Sequence, residues 1–211
     1  MPKIDELRLV AKNSQAAVIG ISETWLDPSV NDSEISIEGY NIYRKDRSRT
    51  GGGVCVYIRC DLSFNQRPEL GRDSLEVVWI DLILPKTKPI LIGVGYRPPQ
   101  QGSFYESLED VLMDSENLSE RELYFLGDCN VNLAGISNKG SSIRKQLELW
   151  CNTFDLFQII SKATRVASNS STLIDHIYVS QREKIADSGV LDIGFSDHAI
   201  VYCTRKVVKG L

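Results

Sequence analysis

Histidine and cysteine are too few and too scattered to build a zinc or disulfide framework. The 211 residues hold two histidines and five cysteines. Cys55, Cys60, Cys129, Cys151 and Cys203 form no C-x-x-C pair and mostly sit in apolar runs, so they read as reduced core thiols. The N-terminus has no long apolar run. Charges extend to Lys12, and the stretch Ala16 to Ile21 has only six residues, against the roughly 20 of a spanning helix, and a signal peptide does not fit either. No membrane partner is expected, and nucleus or cytoplasm is the default location. Basic residues show no excess: the net charge of −4 argues against holding nucleic acid by bulk electrostatics, which needs clustered Lys and Arg. Locally the balance reverses. "YRKDRSRTGGG", residues 43–53, sets Arg44, Lys45, Arg47 and Arg49 against one acid, as either a solvated loop or a local basic edge. Low-complexity tracts, linkers and repeats are missing as well. The composition, 42% hydrophobic and 25% charged, suits an ordinary globular chain, expected as one domain over 1–211.

Strand and helix patterns alternate along the chain. Ile4, Leu7, Val10 and Ala11 mark a short amphipathic helix, and "AAVIGIS" a buried strand. After "YNIYR" come "GVCVYIR" (53–59), "LEVVWIDLIL" (75–84) and "PILIGVGYR" (89–97), rich in β-branched and aromatic residues and expected to be sheet neighbours. Ser103 and Glu106 read as a capping box for a helix with Phe104, Leu108, Val111 and Leu112 on one face. The second half alternates in the same way, with strand "ELYFLGD" (122–128), a helix from about Ser141 to Phe154, then strands "LFQIIS", "LIDHIYV" and "HAIVYCTRKV". Two strand-rich halves, each with helices, predict two sheets packed face to face with helices outside, an α/β sandwich.

Polar residues recur where these strands end: Glu23, Tyr96 with Arg97, Asp128 with Asn130, Asp175, and Asp197 with His198. Strand ends are where a rigid sheet fixes the aim of functional side chains. Taken singly, Glu23 and Asp197 read as caps, Tyr96 before "RPP" as a strand stop and "GDCN" as a turn. Four acids and a histidine at successive strand ends are much harder to dismiss.

"ISETWL" (21–26), "GGGVCVYI" (51–58), "YRPP" (96–99), "GDCN" (127–130), "TLIDHI" (172–177) and "SDH" (196–198) stand in the order and rough spacing of the endonuclease/exonuclease/phosphatase superfamily. The chain most resembles the apurinic-type endonuclease domain of LINE non-LTR retrotransposons, over nearly its whole length. That resemblance implies a two-sheet α/β sandwich of the DNase I-like type and a metal-dependent endonuclease, with Mg²⁺ or alternatively Mn²⁺. Its implied substrate is double-stranded DNA, nicked to leave a 3′-hydroxyl for target-primed reverse transcription, with a reverse transcriptase domain in a longer polyprotein as partner. By the same resemblance Glu23 is a metal ligand, with Asp197 assisting the metal or the histidine's loop. Asp128 orients or deprotonates the attacking water, Asn130 holds that water and the phosphate, and Tyr96 contacts the scissile phosphate. His198, its tautomer fixed by Asp175, stabilises the phosphorane or passes the proton.

The resemblance also implies a strand ahead of the first helix, carrying an asparagine in an N-x-R-S context in mid-sheet. The residues from Met1 on correspond to the helix after it, and Asn13 lies in the wrong element to replace it. Neighbours of such a strand are expected to have unpaired edges, at about 1 to 3 kcal/mol for each buried group without a substitute. A homodimer would repair that by strand exchange or edge pairing. The alternative function is a catalytically weak or inactive domain that binds DNA or protein; a phosphatase of the same superfamily is a third reading.

Alternation along a strand separates the two histidines. In "LIDHI" Asp175 and His176 point to opposite faces, so Asp175 is expected at the site and His176 in the structure behind it. The loop "ATRVASNSST" (163–172) offers Thr164, Arg165 and Thr172 for DNA phosphates, beside Arg97 and the basic stretch.

Overall fold

The computed structural model describes residues 3–135, 141–167, 170–194 and 196–207. Helix α1 (Ile4–Ser14) leads into strand β1 (Val18–Ser22), followed by β2 (Tyr40–Lys45), β3 (Val54–Arg59), β4 (Ser63–Gln66), β5 (Glu76–Ile83) and β6 (Ile90–Tyr96). Helix α2 (Phe104–Met113), β7 (Glu122–Asp128) and α3 (Ser142–Thr153) come next. The chain continues through β8 (Phe157–Gln158), β9 (Arg165–Ala167), β10 (Ser170–Thr172), β11 (Asp175–Val179), β12 (Ile185–Leu191) and β13 (Ile200–Arg205).

Two β-layers face each other. The lower is a six-stranded sheet in the order β4-β5-β6-β7-β11-β8, with β6 and β7 parallel and the other pairs antiparallel. The upper consists of the three-stranded sheet β1-β3-β2 and the hairpin β12-β13. Val54, Val56 and Ile58 of β3 meet Val78, Ile80, Ile92, Val94 and Ile177 between the layers. Their alternates Cys55 and Tyr57 turn outward, where Leu7 and Ala11 of α1 cover them. Both faces of β3 are thus buried, which is why it reads as an unbroken apolar run. On the far face of the lower sheet, Trp79, Phe125 and Tyr178 pack under α2 and α3. Trp150 stands edge-on to Phe125 and Tyr178, with centroids 5.4 and 5.6 Å away.

This is the α/β sandwich expected, with local corrections. The run 53–59 is not the sheet neighbour of 75–84: β3 pairs with β1 and β2, across the core from β5. The capping box does not form. Ser103 makes no side-chain cap bond, and Glu106 instead accepts from Gln146 of α3 at 2.8 Å. "LFQIIS" shrinks to the two-residue β8.

Among the described residues β1 and β2 pair only with β3, and β12 and β13 only with each other. Layer by layer, β3 lies over β5 and β6, β1 over β6 and β7, and β13 over β11. No residue of β1 or β13 is fully buried, whereas five of the six in β3 are.

Candidate active site

The ends of β1, β6, β7 and β11 and the turn before β13 converge at one edge of the sandwich. Register explains part of this: Asp175 lies opposite Asp128 in the antiparallel β7–β11 pair, and Tyr96 lies beside Asp128 in the parallel β6–β7 pair. Only glycine fits before Asp128. Gly127 has φ of 149°, and a Cβ there would stand 1.8 Å from the Gly95 carbonyl oxygen. Ser22, ending β1, donates to that same carbonyl at 3.0 Å and accepts the Asp128 N–H at 3.2 Å, tying the upper layer to the lower.

Asp128, Asp175 and His198 each place a ligand atom within 4.8 Å of the others. His198 Nδ1 lies 3.0 and 3.1 Å from the two oxygens of Asp175. This carboxylate favours the imidazolium and holds the His198 pKa above its ordinary value, although burial works the other way. Burial first, and then the nearby Asp175 charge, push Asp128 up to about 6. Glu23 also acts on Asp128 electrostatically, and it is hydrogen-bonded to the Tyr96 phenol. Burial, with that bond second, drives the Tyr96 pKa upward. Hence Glu23, Tyr96, Asp128, Asp175 and His198 stand near one another at this edge.

Other residues hold these in place. The Thr164 hydroxyl donates to Asp175 at 2.6 Å and accepts the backbone N–H groups of Ile174 and Asp175 at 3.1 and 3.0 Å. Residues 164–166 also grip the turn carrying His198: Ala199 N–H donates to Thr164 O at 2.7 Å and Val166 N–H to Asp197 O at 3.3 Å. Replacing Thr164 by valine leaves two backbone N–H groups without their acceptor. The expected loss is about 2–6 kcal/mol, at about 1–3 kcal/mol for each group, read from urea midpoints, with Thr164→Ser close to the parent.

Several candidates have other work. Arg97, expected at DNA, is 3% exposed. Its guanidinium donates to the carbonyls of Pro98, Pro99, Gln101, Cys129 and Asn130, so it staples the "YRPP" turn to the "GDCN" loop. Thr164 is likewise buried and buttresses Asp175 instead of meeting DNA. Asp197 stands outside the carboxylate–histidine group, with Arg165 Nε 2.8 Å from its Oδ2. Asn130 spends its amide N–H on the Arg97 carbonyl at 3.0 Å. The arginines of the basic stretch are paired with acids: Arg44 with Asp32 and Asp46, Arg47 with Glu76, Arg49 with Asp27. Lys45 donates to the Arg72 carbonyl. Arg165 and Thr172 face each other on the β9–β10 hairpin, Arg165 exposed and Thr172 half-buried. Positions 168 and 169 of that loop lie outside the described residues. His176 is fully buried, between the Leu173 carbonyl and the Tyr178 hydroxyl, and burial pushes its pKa down to about 4.

The donor set fits a hard divalent cation. Carboxylate oxygens predominate among Asp128, Asp175 and His198, as such ions require.

A family model described as endonuclease/exonuclease/phosphatase matches residues 1–198. No curated protein matches the chain by sequence. Among solved structures, the chain is similar to the endonuclease domain of TRAS1, a telomere-specific non-LTR retrotransposon, with TM-score 0.75 and 16% identity over 98% of this chain and 93% of that one. A 3′-5′ exonuclease, NExo, from Neisseria meningitidis gives 0.72 and 17% over 97% and 95%. An AP endonuclease from Archaeoglobus fulgidus gives 0.69 and 14% over 97% and 94%. At such identities the likeness establishes the DNase I-like fold.

Proposed function

Taking as premise that the chain belongs to the endonuclease/exonuclease/phosphatase family, we propose that it is a divalent-metal-dependent endonuclease that nicks double-stranded DNA and leaves a 3′-hydroxyl. The observation carrying this reading is the convergence of Asp128, Asp175 and His198 within 4.8 Å, with Glu23 and Tyr96 interacting alongside.

The roles follow from distance. Base and acid at opposite ends of an in-line displacement are separated by two hydrogen bonds of about 2.7 Å plus the span of the reacting oxygens. Asp128 and His198 are closer than that, so both serve the attack side. Asp128 takes the proton of the water whose oxygen bonds to phosphorus. His198, kept as imidazolium by Asp175, donates to a phosphoryl oxygen as its charge grows. Glu23, with Tyr96 beside it, holds the far end. As the water oxygen bonds to phosphorus the P–O3′ bond breaks, and the 3′-oxygen takes a proton from solvent to become the hydroxyl; a Mg²⁺ or Mn²⁺ ion held by Glu23 would supply positive charge against that growing on the phosphate.

Such an enzyme would act in the nucleus or cytoplasm and open target DNA for reverse transcription by a polymerase domain in a longer polyprotein. A strand from a second copy, laid between the open edges of β1 and β13, would complete the upper layer; sizing in solution tests for that dimer. The acidic balance, a net charge of −4, favours a second reading, a domain that binds DNA or protein without cutting.

Supercoiled plasmid separates the two. Relaxation to nicked circles is expected with Mg²⁺ and not with EDTA, at ends that a DNA polymerase extends. A folded, metal-supplied protein that leaves the plasmid intact overturns the nuclease reading.

A further inference from the structure

Of the three tryptophans, Trp79 and Trp150 are 1% and 0% exposed, but Trp25 is 46% exposed. Mobility does not account for it. Trp25 stands between Thr24 and Leu26, which are 1% and 0% exposed. Its N–H donates to the Gly52 carbonyl at 3.0 Å, and that of Thr24 to Gly53 at 3.1 Å. The backbone is left-handed at both Glu23 (φ 54°) and Trp25 (φ 55°). Bulky L-residues take that conformation only where their surroundings impose it. The chain therefore anchors both neighbours in the core and turns one large indole outward. That indole stands beside the candidate site, its Nε1 3.5 Å from the Glu23 carboxylate.

We propose that Trp25 is a stacking platform for a nucleobase beside the scissile phosphate. The inference rests on the nuclease reading above. With the Arg47 and Arg49 charges committed to Glu76 and Asp27, affinity has to come partly from non-ionic contact, and an indole face accepts any base. Steps that unstack easily, TA and CA, are the preferred partners.

Because the other two indoles are buried, Trp25 fluorescence reports the contact. Titration with a duplex oligonucleotide in EDTA is expected to quench the emission of the wild type but not of Trp25→Phe. Trp25→Ala is expected to weaken binding by roughly 10- to 100-fold, with Trp25→Phe retaining most of it. Equal binding by wild type and Trp25→Ala, or no quench at saturation, overturns the proposal. So does equal loss of nicking in Trp25→Phe and Trp25→Ala without loss of binding, since that marks the indole N–H as serving Glu23 alone. Quenching by DNA that is never cut keeps the platform and removes the nuclease; nicking without quench does the reverse.

Discussion

Asp128→Asn is expected to cut plasmid nicking by about 10²–10⁴-fold while making the metal-free protein more stable at pH 7. Asparagine keeps the shape and the oxygen that accepts the Asn130 N–H at 3.0 Å, but it cannot take a proton from water. Stability moves the other way because ionised Asp128 is unfavourable in the fold. Burial and Asp175 raise its pKa from 3.8 to about 6, a shift worth about 3 kcal/mol at most. A raised carboxylate pKa favours the folded state below the unfolded value and loses that contribution as pH rises through the folded value. The advantage of Asp128→Asn should therefore be absent below about pH 4 and complete above about pH 6. Urea melts in EDTA across that window, beside nicking assays with Mg²⁺, check both halves. A variant that loses activity and stability together would show a structural carboxylate instead of a base.

The buried elements are legible in the sequence because their patterns are strong. "ELYFLGD" coincides with β7, and α1, α2 and α3 follow their apolar faces. Pairing is less so: an apolar run such as 53–59 shows burial on both sides without naming the sheet that buries it. β12, "IADSGVL", escapes a reading by pattern because it belongs to a half-exposed two-stranded hairpin with little apolar alternation. In the site, strand ends point to Glu23, Tyr96, Asp128, Asp175 and His198. The buttresses carry no comparable mark. Ser22 and Thr164 act across 106 and 11 positions of sequence, and Arg97, which looks like a surface cation, is the buried knot of two loops. Trp25 stands in plain view within "ETWL", but exposure cannot be read from a single apolar letter.

Glu122→Gln is expected to cost about 3 kcal/mol, the lower end for breaking a buried charge pair, and to slow nicking although it lies at the opposite end of β7 from Asp128. Glu122 is 0% exposed. Its Oε1 accepts from Lys184 at 2.5 Å and from Arg205 Nη2 at 2.8 Å, and its Oε2 from Arg205 Nε at 2.9 Å. Burial would raise its pKa, but the bonds from Arg205 and Lys184 outweigh that and hold it below the ordinary carboxylate value. Those two cations sit in the turn before β12 and at the end of β13, so the cluster clamps a hairpin that pairs with no other strand among the described residues. His198 enters that hairpin two residues before β13, so loosening the clamp gives the imidazole room to leave Asp175. A depressed carboxylate pKa stabilises the fold above the unfolded value of about 4.5 and loses that contribution as pH falls through the folded value. The gap between parent and Glu122→Gln should therefore narrow below pH 4.5. Lys184→Met is the control, with a smaller expected loss because Arg205 still grips both oxygens. Hydrogen exchange should localise the damage to β12 and β13. Unchanged protection there, with nicking intact, would mean that the half-buried apolar contacts of Val190, Val201 and Cys203 hold the hairpin without the clamp.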